Sequence, residues 1–313
     1  MNLLKAAWRR WTAFVRWTGF GQKSLMDYVE LIVLPLVLLV GGTVVSEALN
    51  ASAREQAIEN AQEQRLQDYL GQISNLTLDR QLLGGNLDPT RDTLVREVAR
   101  AQTLTALDGM DGPRKRFVIT FLYELGLING VASRISLENA ELVGADLSGA
   151  ELFAANLSGT RLAGANIARA RLTSALMDRA VLNQADLTSV LLVDARLNGA
   201  DLRLALLPDA DMSNASMFNA DLRGANLQGA NLSGANLRSA DLRGADLTGA
   251  ILAGTDLTDA VLGMDGADGA SFTRLDNVTW SGTICPDRIN SDAARGSCTG
   301  HLEPRTSATG GRP

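Results

Sequence analysis

Apolar residues recur at every fifth position over a long central part of the chain. From Leu137 to Leu262 this holds at 26 consecutive positions, of which 22 are Leu. The residue two places earlier is Ala in 22 of the 25 repeats between Ala140 and Ala260. A period of five matches neither the 3.6-residue period of an α-helix nor the two-residue period of a plain strand. The backbone must therefore turn once in each repeat, with Leu and Ala facing a shared interior.

Each repeat combines an extended part with a turn, as residues 225–229 (Ala-Asn-Leu-Gln-Gly) illustrate. Residues two apart in an extended chain share a side, so Ala225 and Leu227 face inward while Asn226 faces outward. The last two residues form a corner, and Gly is frequent at the final position because a tight turn favours it. The spacing predicts a solenoid over residues 135–272.

The pattern Ala-(Asp/Asn)-Leu-x-x, seen as Ala-Asp-Leu-Arg-Gly at 220–224 and 240–244, resembles the pentapeptide-repeat family. The resemblance implies a mainly β fold, a right-handed quadrilateral β-helix in which four repeats make one square coil. About six and a half coils at about 4.8 Å would make a rod about 31 Å long. Residues 100–104 and 121–124 are more weakly similar to uncharacterised, membrane-anchored bacterial members. The tail around residues 283–287 is similar to the ends of exported repeat proteins.

A second apolar stretch, residues 31–45, carries no charge. Extended to residues 28–46 it makes a helix about 28 Å long, which suits a bilayer core of about 30 Å. We therefore expect a transmembrane helix over 28–46, with an interfacial amphipathic helix over 1–24 before it. Five basic residues precede the stretch and two follow within twenty residues. This asymmetry predicts a single-pass protein of the cell membrane, with a cytoplasmic N-terminus and extracytoplasmic repeats.

Two other interpretations of the apolar stretch remain open. It has the length of a cleaved signal peptide, and residues 51–53 (Ala-Ser-Ala) have the small-residue form of a cleavage site. It could also be a buried core helix, because its length is near the ambiguous range.

Residues 47–130 are expected to form a helical linker and an N-terminal cap. One amphipathic helix should cover 47–82, and glycine and proline residues end it. A second helix should run from about Thr90 to Leu107, and a third should begin near Pro113.

The apolar pattern of these helices predicts which faces are buried. The second helix carries Leu94 and Val98 on one side, and the third carries Phe117, Phe121 and Leu122. The third helix ends where the repeats begin, so it should cover the first coil. An uncovered coil would leave a β edge open to aggregation.

Charge and composition restrict the chemistry of the repeats. Residues 135–270 carry 17 carboxylates, nine arginines and no His, Cys, Lys, Trp or Tyr, which gives a net charge of −8. Without a base beside the serines, we expect no enzyme activity, no cofactor and no small-molecule substrate. An acidic rod is repelled by nucleic acid, so direct nucleic-acid binding is not expected.

The only two cysteines, Cys285 and Cys298, lie together in the predicted tail, residues 273–313. This arrangement predicts one disulfide that closes a short loop, and hence an oxidising compartment. Two unpaired thiols are the alternative. A zinc site is not expected, because His301 is the only histidine and four ligands cannot be assembled.

Two sets of outward residues are candidates for interaction. In a coil of twenty residues one column of arginines stacks beside a column of aspartates, namely Arg203, Arg223 and Arg243 beside Asp201, Asp221 and Asp241. We favour a ladder that neutralises itself over an anion-binding stripe. The second set consists of apolar residues where the repeat usually has Asp or Asn, namely Leu176, Val181, Leu191 and Leu206. It predicts either an apolar contact patch or degenerate repeats with relaxed packing.

We therefore predict a non-catalytic, membrane-anchored rod that binds an unknown protein partner, serves a structural role or self-associates. The alternative is a DNA mimic that regulates DNA gyrase or another type II topoisomerase, because some members of the family resemble duplex DNA in width and negative charge.

Overall fold

The structure is a computed structural model, and it describes residues 34–78, 89–129, 134–263 and 273–302. The described residues contain three helices, α1 (Leu34–Leu78), α2 (Pro89–Asp108) and α3 (Gly112–Glu124). A β-solenoid follows them. The chain divides into two compact units, residues 1–61 and 62–313. We call residues 62–78 and 89–129 of the second unit the helical cap.

The first helix contradicts the predicted membrane topology. α1 continues without interruption through residue 46, where the predicted transmembrane helix should end. Among the described residues, no helix combines the length and the apolar character needed to cross a bilayer. The predicted single-pass location is therefore wrong, and the interfacial helix predicted over 1–24 lies outside the described residues.

The helical cap buries only part of the predicted stripes. Leu122 of the α3 stripe is fully buried, as predicted. Ile73 in α1, Leu107 in α2 and Ile119 in α3 are at most 1% exposed. In contrast, Leu94 is 63% and Phe117 is 51% exposed. The apolar pattern of a short helix gives its period, but the neighbouring helices decide which side of it is covered.

Contacts between α3 and the first repeats close the N-terminal end of the solenoid. The Lys115 ammonium group donates to the Val143 carbonyl at 3.3 Å, and burial lowers the pKa of Lys115. At the start of α3 the backbones approach closely, because a Cβ on Gly112 would lie 3.0 Å from the Gly144 carbonyl oxygen. α3 therefore covers the edge of the first coil, where unpaired backbone groups would otherwise meet solvent.

Backbone bridges with a fixed step of 20 residues build the solenoid. Glu141 pairs in parallel with Arg161, Arg161 with Val181, and the same step continues to Asp241 and Val261. Each bridge joins single residues of adjacent coils. Four five-residue repeats therefore make one coil, as the resemblance to the pentapeptide-repeat family implies.

The outward positions define four faces. Face 1 begins at Glu141, face 2 at Asp146, face 3 at Glu151 and face 4 at Asn156, and each face continues every 20 residues. We give each two-residue turn, or corner, the number of the face before it. At every corner from 139 to 259 the second turn residue has a positive φ, and the next inward residue donates its N–H to the preceding Leu-position carbonyl. This is the pattern of a type II turn.

The interior is filled by the two inward positions of each repeat. Every side chain at the Leu position from 137 to 257 is at most 1% exposed. Thr160 and Thr255 take the place of Ala and are fully buried. Their hydroxyls donate to the carbonyls of Leu157 and Leu232, each at 2.7 Å, so no buried polar group is left without a partner at these positions.

The solenoid extends beyond the predicted boundary at residue 272. Arg274 pairs with Asp246, and Ile284 pairs with Asp256, so the step is 28 residues instead of 20. Eight additional residues are therefore accommodated between the bridges at Val261 and Arg274. The first part of the predicted tail is thus a further part of the solenoid.

A disulfide-linked segment covers the C-terminal end. The chain reverses after Ile284, so that Ile284 and Asn290 pair antiparallel and the Ser291 N–H donates to the Thr283 carbonyl at 2.7 Å. Cys285 and Cys298 form a disulfide with a Cα–Cα distance of 5.4 Å. Both cysteines are fully buried, and Cys285 occupies an inward Leu position.

Candidate functional site on the solenoid surface

Outward Asp and Asn residues build the corners of the solenoid. An Asp186 carboxylate oxygen accepts the N–H of Thr188 at 2.9 Å, and the Asn231 side-chain oxygen accepts the N–H of Ser233 at 3.1 Å. This contact is an Asx-turn, in which the side chain satisfies a backbone donor two residues later. The Asp or Asn that precedes each Leu in the repeat therefore stabilises the following turn.

In some repeats that lack Asp or Asn, another group accepts this N–H or the donor itself is absent. Leu206 is followed two residues later by Pro208, which has no N–H to satisfy. At corner 4, an Asp178 carboxylate oxygen accepts the Asn198 N–H of the next coil at 3.1 Å. The Asn198 side-chain oxygen accepts the Phe218 N–H at 3.0 Å in the same way. Sequence reasoning missed these two hydrogen bonds between coils. They join residues 20 apart, and a pattern of five residues does not show that spacing.

The structure brings together the arginines and aspartates that the sequence singles out. Arg203 donates from Nε and Nη2 to the two Asp201 carboxylate oxygens, both at 2.7 Å. Arg223 and Asp221 repeat the pair at 2.8 and 2.6 Å. The third pair has the same form, with distances of 2.9 and 2.6 Å, and consists of Arg243 and Asp241. We call these six residues of face 1 and corner 1 the Asp–Arg ladder.

Weaker contacts join the ladder from coil to coil. Arg203 Nε lies 3.7 Å from an Asp221 carboxylate oxygen, and the next coil repeats that distance. Hydrogen bonds from their own arginines hold the pKa of Asp201 and of Asp221 below the usual range. The same hydrogen bonds raise the pKa of Arg203 and of Arg223. These four residues are therefore charged at neutral pH.

The ladder presents its positive ends to solvent. The arginine side chains are 44–51% exposed, whereas the aspartates beneath them are 24–30% exposed. No hydrogen bond within the described residues uses the Nη1 groups of these arginines. The strip is neutral in sum, but it offers fixed N–H donors to an acceptor on a partner.

The four outward apolar candidates do not form a patch. Leu176 lies on face 4, Val181 on face 1, Leu191 on face 3 and Leu206 on face 2. Each occupies a different side of the solenoid, so the predicted common contact patch is wrong. Outward residues of successive repeats lie on different faces, because each repeat turns the chain to the next face.

Metal-binding side chains do not cluster in the described part of the chain. No group of three or more His, Cys, Asp or Glu side chains within it could hold a metal ion. His301, the one histidine, contacts the Asp287 carboxylate at 2.7 Å beside the C-terminal segment.

A family model described as "Pentapeptide repeats" matches the chain with eight copies, over residues 133–167, 165–203, 185–224, 195–234 and 225–263. The comparison with curated proteins found no match.

Several solved structures are similar to this chain. One is HetL, a pentapeptide repeat protein involved in heterocyst differentiation regulation from the cyanobacterium Nostoc sp. strain PCC 7120. It is 28% identical over 56% of this chain and 98% of its own, with a TM-score of 0.24. A pentapeptide repeat protein from the Arabidopsis thaliana thylakoid lumen is 27% identical over 35% of this chain and 82% of its own, with a TM-score of 0.27. QnrB1, a plasmid-mediated fluoroquinolone resistance protein, is 22% identical over 45% of this chain and 80% of its own, with a TM-score of 0.21.

Proposed function

Because residues 133–263 of this chain are pentapeptide repeats, we propose that it acts as a non-catalytic rod that binds a protein partner or serves a structural role. Recognition on such a rod depends on the shape and charge of its outer surface. The solenoid holds those surface groups at fixed steps, because every coil repeats the backbone geometry of the one before it.

The observation that carries the proposal is that most polar side chains of the repeats already have a structural task. Asp186 and Asn231 hold turns, Asp178 holds the next coil, and Asp201 holds both a turn and an arginine. A general base or nucleophile needs a side chain that can exchange a proton with a substrate. Groups engaged in this way suit a stable scaffold better than a reaction centre.

The Asp–Arg ladder is the surface that we propose for contact with the partner. Its arginines are anchored at two nitrogens each, so little side-chain freedom is lost when a partner binds. The remaining N–H donors match carboxylates or backbone carbonyls of a protein. Leu204, 56% exposed beside Arg203, adds an apolar contact.

The test compares capture of partners by the full chain and by two sets of variants. The ladder variant replaces three arginines with Gln, namely Arg203, Arg223 and Arg243. The control replaces three arginines of face 4 and corner 4 in the same way, namely Arg179, Arg196 and Arg238. A partner that binds through the ladder should be retained by the control and lost from the ladder variant. Equal retention by both would exclude the ladder as its binding surface.

A second candidate function is mimicry of DNA toward a type II topoisomerase. The net charge of −8 over residues 135–270 supports it. The interleaved arginines of the ladder count against it, since they interrupt the negative surface that a mimic needs. Addition of the purified full chain to a DNA gyrase supercoiling assay distinguishes the two functions. A mimic should inhibit or protect gyrase at stoichiometric concentration, and an unchanged supercoiling rate would exclude this function.

A further inference from the structure

Face 3 carries charges of opposite sign on either side of an apolar residue. Leu191, the third outward residue of this face, is 36% exposed. Arg171 lies one coil before it and Asp211 one coil after it, in the same column. Adjacent coils are about 4.8 Å apart, so both charges lie at about the same distance from Leu191.

Corner 2, along the edge of face 3, repeats this arrangement. Arg169 lies in the coil before Ser189, and Asp209 lies in the coil after it. Both charged residues are exposed. Two neighbouring columns therefore change from basic to acidic across the same central coil.

Three of these four charges form no ion pair within the described part of the chain. Within the described residues, no ion pair involves Arg169, Asp209 or Asp211. Arg171 contacts Glu151 at 3.4 Å but remains 62% exposed. By contrast, the Asp–Arg ladder satisfies each of its charges within the chain.

Asp211 accepts hydrogen bonds from Ser213 and from the Asn231 amide at Oδ1. No hydrogen bond within the described residues uses its Oδ2, so this oxygen and the arginines of the face are available to another molecule.

We propose that face 3 binds a second copy of this chain, with the two solenoids antiparallel around a two-fold axis at Leu191. That axis exchanges the coil before Leu191 with the coil after it. Arg171 then meets the partner's Asp211, and Arg169 meets the partner's Asp209. Leu191 meets the partner's Leu191 on the axis.

Only the antiparallel arrangement uses this charge pattern. In a parallel pair, Arg171 would meet the partner's Arg171 and Asp211 would meet the partner's Asp211, which places like charges together. The antiparallel pair also sets Glu151 opposite the partner's Asn231, a carboxylate opposite an amide donor. A partner with the same coil spacing keeps every contact in register along the face. This inference concerns a different face from the ladder and does not depend on the proposed partner there.

Two features limit the strength of the pair. Asp194, at corner 3 of the central coil, would lie near the partner's Asp194 at the exposed rim. The face that takes part covers about five coils, or about 24 Å of the rod, so its area lies at the low end for protein interfaces. We therefore expect a weak dimer that forms at concentrations of about 100 µM.

The first test is sedimentation of the full chain over a concentration series with charge-reversal variants. Arg171→Asp and Asp211→Arg should each raise the dimer dissociation constant at least about tenfold, because each places like charges together twice in a symmetric pair. A mixture of these two variants should dimerise again, since both contacts become opposite in sign. Arg238→Asp on corner 4 is the control and should leave association unchanged.

A cysteine test fixes the orientation. Leu191→Cys should form a disulfide between copies under mild oxidation, whereas Arg171→Cys should not. Disulfide formation by Arg171→Cys would show a parallel pair and overturn the proposal. Asp194→Asn should tighten the dimer severalfold by removing the like-charge contact. A chain that stays monomeric throughout the series, or a dimer indifferent to both reversals, would also overturn it.

Discussion

The solenoid and the helical cap obtain their order from different hydrogen bonds. In the solenoid the backbone bonds run between coils, as from the Leu147 N–H to the Asn166 carbonyl at 2.7 Å. In the cap they run within each helix, and the helices meet through side chains such as Ile73 and Ile119. A solenoid coil therefore cannot form its bonds without a neighbour, whereas a helix can form without one. In the solenoid, therefore, the path of the backbone around each coil decides which side chains are buried. In the cap, the packing of the helices decides it.

The largest expected difference in stability arises when one Leu in each region is replaced by Asp. Leu197 is fully buried in the solenoid, whereas Leu94 in α2 is 63% exposed. Leu197→Asp should destabilise the protein by about 4 kcal/mol or more, because an unpaired carboxylate would enter the apolar interior. Leu94→Asp should change the stability by less than about 0.5 kcal/mol. Thermal unfolding measures both, and equal losses would contradict the contrast.

Removal of the disulfide tests whether a loss of stability at one end of the solenoid spreads to the other coils. The double change Cys285→Ala and Cys298→Ala should cost about 2–4 kcal/mol, because a short covalent loop no longer restricts the unfolded chain. Each coil contacts only its neighbours, so the loss should concentrate at the C-terminal end.

Hydrogen exchange measures where that loss occurs. Amides at Thr279 and Ile284 should lose protection strongly, while the amide of Ile73 in the helical cap should change little. A uniform loss along the whole chain would show that the two ends are coupled.

Glycine replacement should have opposite signs in the two regions. Gly249 has a φ of +72° at a corner, with no atom nearer than 4.0 Å to an added Cβ, so Gly249→Ala should cost about 1 kcal/mol from the backbone alone. Gly71 lies within α1 with open space around it, so Gly71→Ala should stabilise by about 0.5–1 kcal/mol. Denaturant unfolding of both variants checks the signs. Ser239→Gly, at a φ of 57°, is the converse control and should stabilise slightly.

The smallest expected effect is the pH response of the Asp–Arg ladder. The folded pKa values of Asp201 and Asp221 lie below the ordinary value of 3.8. The folded state therefore favours the charged carboxylates. Their contribution is complete above about pH 4 and is lost as the pH falls through the lowered values. Melting temperatures between pH 7 and 3 should fall less steeply for the triple Arg→Gln ladder variant than for the unchanged chain.

The candidate site was only partly predictable. The sequence predicts that Arg203 stacks on Arg223, because a coil of twenty residues follows from the resemblance to the family. It does not reveal that Leu176 and Leu191 lie on different faces of the rod, since that needs the assignment of each repeat to a face. The charge pattern around Leu191 was missed for the same reason. The continuation of the solenoid past residue 272 was missed because the bridge step there changes to 28 residues.

By itself, the sequence determined which residues of the repeats lie inside, because a five-residue period leaves one way to bury Leu and Ala together. Tertiary structure decided which of the apolar side chains of α2 and α3 are covered, because the period of a helix does not say which neighbours pack against it. It also decided which outward side chains meet, because residues 20 apart in the chain become neighbours only when the coil closes. The physical reason is the range of the interactions: the turn within a repeat is local, whereas contacts between coils and between helices are not.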